Sequence, residues 1–245
     1  MELPRLALVG YGRMGREIES LARRRGFAVT AIFSRSRPLT SVQELTEADV
    51  VVDFSVAEAV PHTAQLALQA GKRLVIGTTG WEAYREELRR QTDAWGGGVV
   101  YASNFAIGVQ LLYHLVQQAA RFIARMPDYD IFLHEIHHRH KRDAPSGTAR
   151  KLAELILREL PRKRTASTAT EGPLPEDVLH VSASRGGEVI GTHTVYIDAP
   201  GESVELIHRA KSRESFAAGA LLAAQWIASR QGFYEFSDVL RALLG

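Results

Sequence analysis

The sequence predicts an α/β protein: a Rossmann-type doubly wound parallel sheet followed by a second, α+β domain built on a mixed or antiparallel sheet. Three observations carry that expectation. Over residues 1–106, short apolar runs alternate with longer amphipathic ones. A glycine-rich turn follows the first apolar run at once. Beyond residue 177, three strand-like pieces succeed one another with no helix between them.

The elements read as follows. "RLALVG" (5–10) has no polar alternation, the pattern of a strand covered on both faces. "GRMGREIESLARRRG" (12–26) is an amphipathic helix stopped by Gly26. "FAVTAIF" (27–33) and "ADVVVDFS" (48–55) are the next strands, and a helix over 57–70 ends at Gly71. "RLVIGTTG" (73–80) is a strand running into a Gly/Thr loop, followed by a helix over 81–94. "GVVYASNF" (98–105) is a further strand that leads into an amphipathic run to about 125. The pattern then changes. "IFLHEIHH" precedes a helix at 146–160 and a polar stretch, "PRKRTASTATEGPLPED" (161–177). "VLHVSAS", "EVIGTHTVYID" and "ESVELIHRAK" read as consecutive strands, and "FAAGALLAAQWIASR" and "FSDVLRALL" as two closing helices.

Composition narrows the function classes. The chain has 245 residues, 45% hydrophobic, enough for one large domain or two small ones. Its net charge of +2 suits an anionic small molecule and is too weak to point to nucleic acid. There is no cysteine, which excludes disulfides, thiolate metal sites and cysteine nucleophiles and fits a reducing cytoplasm. No signal peptide is read at the N-terminus, and no apolar run approaches the ~20 residues that span a bilayer. A soluble intracellular protein without membrane contact is expected.

Gly10-Tyr11-Gly12-Arg13-Met14-Gly15 is a G-x-G-x-x-G motif placed between a strand and a helix. Glycines there permit a tight turn and close backbone approach, and the helix N-terminus offers N–H groups to a pyrophosphate. This is the dinucleotide-binding pattern, against the alternative of a glycine turn without ligand. NAD specificity calls for a carboxylate after the second strand. The chain reads Phe33-Ser34-Arg35-Ser36-Arg37, with no acid before Glu44. Arg35, with Arg37 beside it, fits a 2′-phosphate, so NADPH is expected ahead of NADH, unless these arginines merely face solvent. Three further strand ends are small or polar: Asp53-Phe54-Ser55, Gly77-Thr78-Thr79 and Ala102-Ser103-Asn104-Phe105. In a doubly wound sheet they share the ligand-bearing edge.

The densest chemistry lies at 134–149, "HEIHHRHKRDAPSGTA". His134-Glu135-Ile136-His137-His138 matches the H-E-x-x-H pattern of zinc peptidases, which needs a helix to put both histidines beside the glutamate. The β-forming Ile131-Phe132-Leu133 and Ile136 favour a strand, which sends His134 and His138 to one face and Glu135 to the other. No metal is expected. The second reading starts from Pro145-Ser146-Gly147-Thr148 before an amphipathic helix. Gly147 and Thr148 open that helix, and with His138, Arg139 and Lys141 they make a site for a carboxylate or phosphate. His137 or Lys141 can then donate a proton, with neighbouring cations lowering their pKa values. A capped helix after a solvated basic loop is the plain alternative.

At these residues the chain resembles the 4-hydroxy-tetrahydrodipicolinate reductase family (older name dihydrodipicolinate reductase). The family's Glu-x-His-His-x-x-Lys-x-Asp-x-Pro-Ser-Gly-Thr-Ala block is unbroken from Glu135 to Ala149. The likeness extends to the glycine loop, Gly77–Gly80, Ser103-Asn104-Phe105, "SRGGEVIGTHTV" (184–195) and "SRESFAAGALLAAQW" (212–226). The resemblance implies hydride transfer from NAD(P)H to a cyclic imine dicarboxylate in lysine and diaminopimelate biosynthesis. It implies His137 and Lys141 as proton-transfer residues, and His138, Gly147 and Thr148 on a substrate carboxylate. Residues 10–15, 77–79 and 102–105 would contact the cofactor. It also implies a homotetramer joined through the second domain's sheet. The nucleotide domain would be 1–106 completed by helices at 215–245, and the substrate and oligomerisation domain 107–214. One departure is that many members carry Ser-Arg-x-Gly before the final strands, where the polar stretch reads "TATEGPLPED". A related amino- or imino-acid dehydrogenase and a nucleotide-sensing module without turnover are the competing functions.

Overall fold

The first apolar run forms β1 (Leu6–Val9), buried at all four positions in the computed structural model, which describes residues 2–169 and 171–244. Met1 and Gly245, at the ends of the expected nucleotide domain, and Thr170, within the polar stretch, lie outside the described residues. From β1 the chain runs through α1 (Arg13–Arg24), β2 (Val29–Phe33), β3 (Val50–Asp53), α2 (Val60–Gln69), β4 (Arg73–Ile76), α3 (Arg85–Ala94) and β5 (Gly98–Tyr101). It continues through α4 (Ile107–Ile123), β6 (Asp130–His137), α5 (Gly147–Glu159), β7 (Thr165–Ser167), β8 (Val178–Arg185), β9 (Thr192–Ala199) and β10 (Glu202–Arg209). It closes with α6 (Glu214–Ile227), β11 (Gly232–Glu235) and α7 (Phe236–Leu244). Two units result, Met1–Ala106 with Arg213–Gly245, and Ile107–Ser212.

The first unit is a six-stranded sheet in the order β11-β5-β4-β3-β1-β2, parallel throughout. Its central strands are Val/Ile/Leu runs because both faces are covered. One face packs Leu6, Leu8, Val50, Val52, Val75 and Val100 against Ile18 and Leu21 of α1 and Ala220, Leu221 and Ala224 of α6. The other packs Ala7, Val51, Leu74, Ile76 and Val99 against Ala64, Ala67 and Leu68 of α2 and Leu88 of α3. Each buried Val, Leu or Ile among them contributes about 1.5–3 kcal/mol, so these layers dominate the unit's stability. The helices expected over 57–70 and 81–94 each begin with a short 3₁₀ turn, Ala57–Ala59 and Glu82–Tyr84.

The second unit is a mixed five-stranded sheet in the order β10-β9-β6-β8-β7. β10, β9 and β6 are antiparallel neighbours, while β8 runs parallel to β6 and β7 parallel to β8. On β6, Ile131, Leu133, Glu135 and His137 are buried and alternate with more exposed residues. That period of two confirms a strand where a zinc peptidase needs a helix.

Two strands lie where none was expected. β7 is a three-residue, mostly exposed edge strand inside the polar stretch. β11, "GFYE", returns between the closing helices to pair with β5. The strand expected from residue 188 begins only at Thr192, after a turn at Gly187 with φ +53°.

Candidate active site

At the end of β1, Gly10 adopts φ +90° and a Cβ there would lie 2.3 Å from the Phe54 carbonyl oxygen. Only glycine fits that turn. A Cβ on Gly15 would lie 2.2 Å from the Gly10 carbonyl oxygen, so α1 packs directly on the turn that starts it. Gly12 is different: nothing lies within 4 Å of its Cβ position, leaving the first turn of α1 open to a ligand. Two glycines serve the backbone and one leaves room, a division of labour that fits a pyrophosphate cradle. Among the motif's side chains, Arg13 is exposed and Met14 packs on the core. The Tyr11 hydroxyl donates to the Glu19 carboxylate, and Arg16 lies 5.6 Å from the Tyr11 ring centre.

After β2 the chain turns tightly, with Ser34 and Arg37 exchanging backbone bonds of 2.9 and 3.1 Å. Arg35 is exposed at the tip, while Arg37 lies 5.7 Å from the Phe33 ring centre. Glu44, the next acid, accepts from the backbone and hydroxyl of Thr40 and the Ser41 N–H at 2.9–3.0 Å. Those bonds cap a 3₁₀ turn and engage one of the oxygens that a ribose would need.

The ends of β3 and β4 meet around a buried carboxyl. Asp53 Oδ1 accepts from the Ser55 N–H at 2.9 Å, the Ser55 hydroxyl at 2.7 Å and the Thr78 hydroxyl at 2.7 Å. Burial pushes the Asp53 pKa up, opposed by bonds from Ser55, Thr78 and Thr63. The Thr78 hydroxyl is thus held within the protein, whereas Thr79 is exposed. A Cβ on Gly77 would lie 2.1 Å from the Phe54 ring, so glycine makes room for that ring. Phe54 packs on Phe105, and Phe105 on Phe236, with ring centres 6.0 and 4.8 Å apart. Phe105 and Ala102 are buried, which leaves Phe105's ring in the core, while Ser103 is exposed and Asn104 Oδ1 caps the Ala106 N–H at 2.8 Å.

In the second unit, β6 delivers Glu135 and His137 to one buried face, with His134 on the other, bonded to the Ser182 hydroxyl at 2.7 Å. Glu135 is fully buried and its Oε1 accepts from the Ser146 N–H at 2.9 Å and Arg185 Nη2 at 2.8 Å. Its Oε2 lies 3.5 Å from both His137 Nδ1 and His193 Nε2. The register explains the meeting: His193 on β9 stands opposite Glu135, and Arg185 ends β8 opposite His137. Burial opposes ionisation of Glu135, but the nearby His193 and the bonds from Ser146 and Arg185 overcome it and hold the pKa far below the carboxylate range. His137 is pushed down to about 4, foremost by burial, with Glu135 raising it and His193, Lys141 and Arg185 lowering it further.

Ser146 caps α5, its hydroxyl accepting from the Ala149 N–H at 3.2 Å and lying 3.2 Å from His193 Nε2. Gly147 opens the helix with nothing within 4 Å of its Cβ position, and Thr148 follows, partly buried. Lys141 Nζ donates to Asp143 Oδ1 at 2.7 Å, which, against the opposing effect of burial, draws the Asp143 pKa down. His138 keeps a buried Nδ1 without a hydrogen-bond partner. Glu135, His137 and His193 also bring three potential metal-ligand atoms within 4.8 Å of one another. The Arg185 guanidinium already occupies that carboxylate as its cation.

Arg185 and His193 are site residues for which the sequence offers no role, whereas Ser146 is the helix cap that the sequence predicts and Glu135 appears there only as a zinc-site base and the first letter of the family block. "SRGGEVIGTHTV" was the available signal, since it holds both Arg185 and His193.

Comparison with known proteins gives a consistent result. Residues 4–105 match a family model described as "Dihydrodipicolinate reductase, N-terminus", and residues 108–240 one described as "Dihydrodipicolinate reductase, C-terminus". The 4-hydroxy-tetrahydrodipicolinate reductase of Archaeoglobus fulgidus is 38% identical, covering 96% of this chain and 99% of its own. That of Aquifex aeolicus is 43% identical, covering 84% and 79%. Among solved structures, a dipicolinate-bound dihydrodipicolinate reductase from Paenisporosarcina sp. TG-14 superposes with a TM-score of 0.78 at 24% identity, covering 97% of this chain and 99% of that one. The likeness there is one of fold.

Proposed function

The chain belongs to the dihydrodipicolinate reductase family, and from that premise we propose that it reduces 4-hydroxy-tetrahydrodipicolinate to tetrahydrodipicolinate, in the diaminopimelate route to lysine. It is an NAD(P)H-dependent oxidoreductase. The ring gains one hydride and one proton and loses its hydroxyl as water. The observation that carries the reading is the Glu135–Ala149 block, which folds into a buried imidazole followed by a capped helix start.

Each group has a part. The cradle of Gly10, Gly12 and Gly15 suits a dinucleotide pyrophosphate, with Tyr11, Arg13 and Met14 completing the turn. Gly77, Thr78, Thr79, Ala102, Ser103, Asn104 and Phe105 would line the rest of the cofactor, Thr78 and Phe105 through their backbones. Bound NAD(P)H supplies the hydride. Arg35 is free to meet a 2′-phosphate and Glu44 is engaged in its cap, which favours NADPH over NADH. A substrate carboxylate would lie on the α5 N-terminus at Gly147 and Thr148 and on His138. Lys141 delivers a proton, and His137 exchanges one with the ring.

The substrate is a small cyclic dicarboxylate, and neither nucleic acid nor membrane is a partner in this account. No helix among the described residues is long and apolar enough to cross a membrane. A cytoplasmic location suits a biosynthetic reductase that draws on NAD(P)H. A homotetramer through the second unit's sheet is supported by its outer face, where Phe132 stacks on Tyr196 at 4.9 Å and Ile207 is exposed. Sedimentation and turnover assays with both cofactors test these readings together.

A further inference from the structure

We propose that Glu135 is the positioning residue for His137: its clamped carboxylate holds the imidazole as the Nδ1–H tautomer, steadies the imidazolium, and leaves Nε2 as the atom that exchanges a proton. The proposal rests on the reading of His137 as a proton-transfer group.

Two unpartnered atoms carry it. His137 Nδ1 and Glu135 Oε2 are both buried and neither makes a conventional hydrogen bond, yet they face each other at 3.5 Å. Leaving a buried donor or acceptor unpaired is costly, so the contact favours a proton between them. Such catalytic bonds are often long before the reactant binds.

The carboxylate is fixed independently of His137. Its Oε1 takes the Ser146 N–H and Arg185 Nη2, and the same Arg185 nitrogen also donates to the Asp143 carbonyl at 2.6 Å. A carboxylate with an arginine partner and a backbone donor remains ionised, and an ionised carboxylate can only accept. The ring nitrogen facing it must therefore carry the hydrogen, and a hydrogen bond at one imidazole nitrogen decides the state of the other.

Nε2 has its own provision. It borders Gly191, where a Cβ would lie 3.0 Å away. Any other residue there would crowd the exchanging atom. The charged and titratable groups that face His137 are Glu135 on β6, His193 on β9, Arg185 on β8 and Lys141 in the loop after β6, with His208 on β10 beyond His193. Glu135 is the anion among them. It alone raises the proton affinity that burial and the cations depress.

Histidine-selective ¹⁵N NMR of the unmodified protein at neutral pH tests the tautomer directly, with the His137 signals assigned by their loss in His137→Gln. Protonated Nδ1 with bare Nε2 is expected; protonated Nε2 overturns the proposal. Glu135→Gln then presents an amide donor to the ring. It is expected to lower kcat about 10- to 1000-fold with KM changed less than about threefold. The alkaline limb of the kcat–pH profile should move to lower pH, because the imidazolium has lost its anion. Loss of activity with that limb unmoved would reduce Glu135 to a structural role and overturn the proposal. If Glu135→Gln does not fold, the wild-type tautomer still decides. If the wild-type enzyme fails to reduce the substrate, the proposed reaction falls while the NMR result stands on its own.

Discussion

Gly15 stands so close to the Gly10 carbonyl that a Cβ at Gly15 would lie 2.2 Å from its oxygen, while the Cβ position of Gly12 is empty to 4 Å. Three glycines of one motif thus answer to different constraints. Gly15→Ala must push α1 away from the turn and is expected to cost about 1–3 kcal/mol, an overpacking penalty visible as a lower Tm. Gly12→Ala should leave Tm within a few degrees and instead weaken NADPH binding, since the added methyl enters the open cradle. Thermal melts and cofactor titrations of the two variants check this. Equal Tm losses would contradict the division of roles.

Arg35 is exposed at the tip of the turn after β2, and the next acid, Glu44, already accepts three bonds on its Oε2. Arg35→Ala is therefore expected to raise KM for NADPH about tenfold, a loss of about 1.4 kcal/mol, and leave KM for NADH nearly unchanged. A parallel change for both cofactors would show that Arg35 does not read the 2′-phosphate.

His137 and Lys141 should separate chemistry from binding. His137→Gln and Lys141→Ala are each expected to lower kcat about 100- to 10,000-fold, with dinucleotide affinity changed less than about threefold. Fluorescence titration of NADPH alongside steady-state kinetics reads both quantities. A nucleotide-sensing module would show no turnover to lose.

The His137 pKa, pushed down to about 4 foremost by burial, predicts an acid-side loss of stability. Between that value and about 6.5, the unfolded chain binds a proton that the native ring refuses. The ring's contribution is complete above about pH 6.5 and is lost as pH falls towards 4. His137→Gln removes this dependence, so its drop in Tm from pH 7 to pH 5 should be smaller than the wild type's. An equal drop would place the acid sensitivity elsewhere.

Much of this fold is legible because each central strand is a local apolar run between turn signals. Leu6–Val9, Val50–Asp53 and Arg73–Ile76 declare themselves without reference to their neighbours. β11 does not, since "GFYE" is short, partly exposed and stabilised by pairing with β5, far away in the chain. β7 hides for a similar reason: "TAS" is an edge strand with hydrophilic neighbours. The site divides the same way. Glu135, His137, Lys141 and the α5 cap lie within one contiguous stretch and can be read together. Arg185 and His193 reach Glu135 only through the registers of β8 and β9 with β6, a relationship no local pattern encodes. That is why a glutamate legible as a letter in a zinc motif turns out to be the anion between two imidazoles.

The most direct test of the central claim is oxidation of NADPH and NADH by the purified chain, followed by absorbance, with 4-hydroxy-tetrahydrodipicolinate generated enzymatically in the same cuvette. Oxidation that requires that substrate, runs faster with NADPH and is slowed at least about 100-fold by His137→Gln is the predicted result. A folded protein that binds NADPH but oxidises neither cofactor when the substrate is supplied would contradict the account.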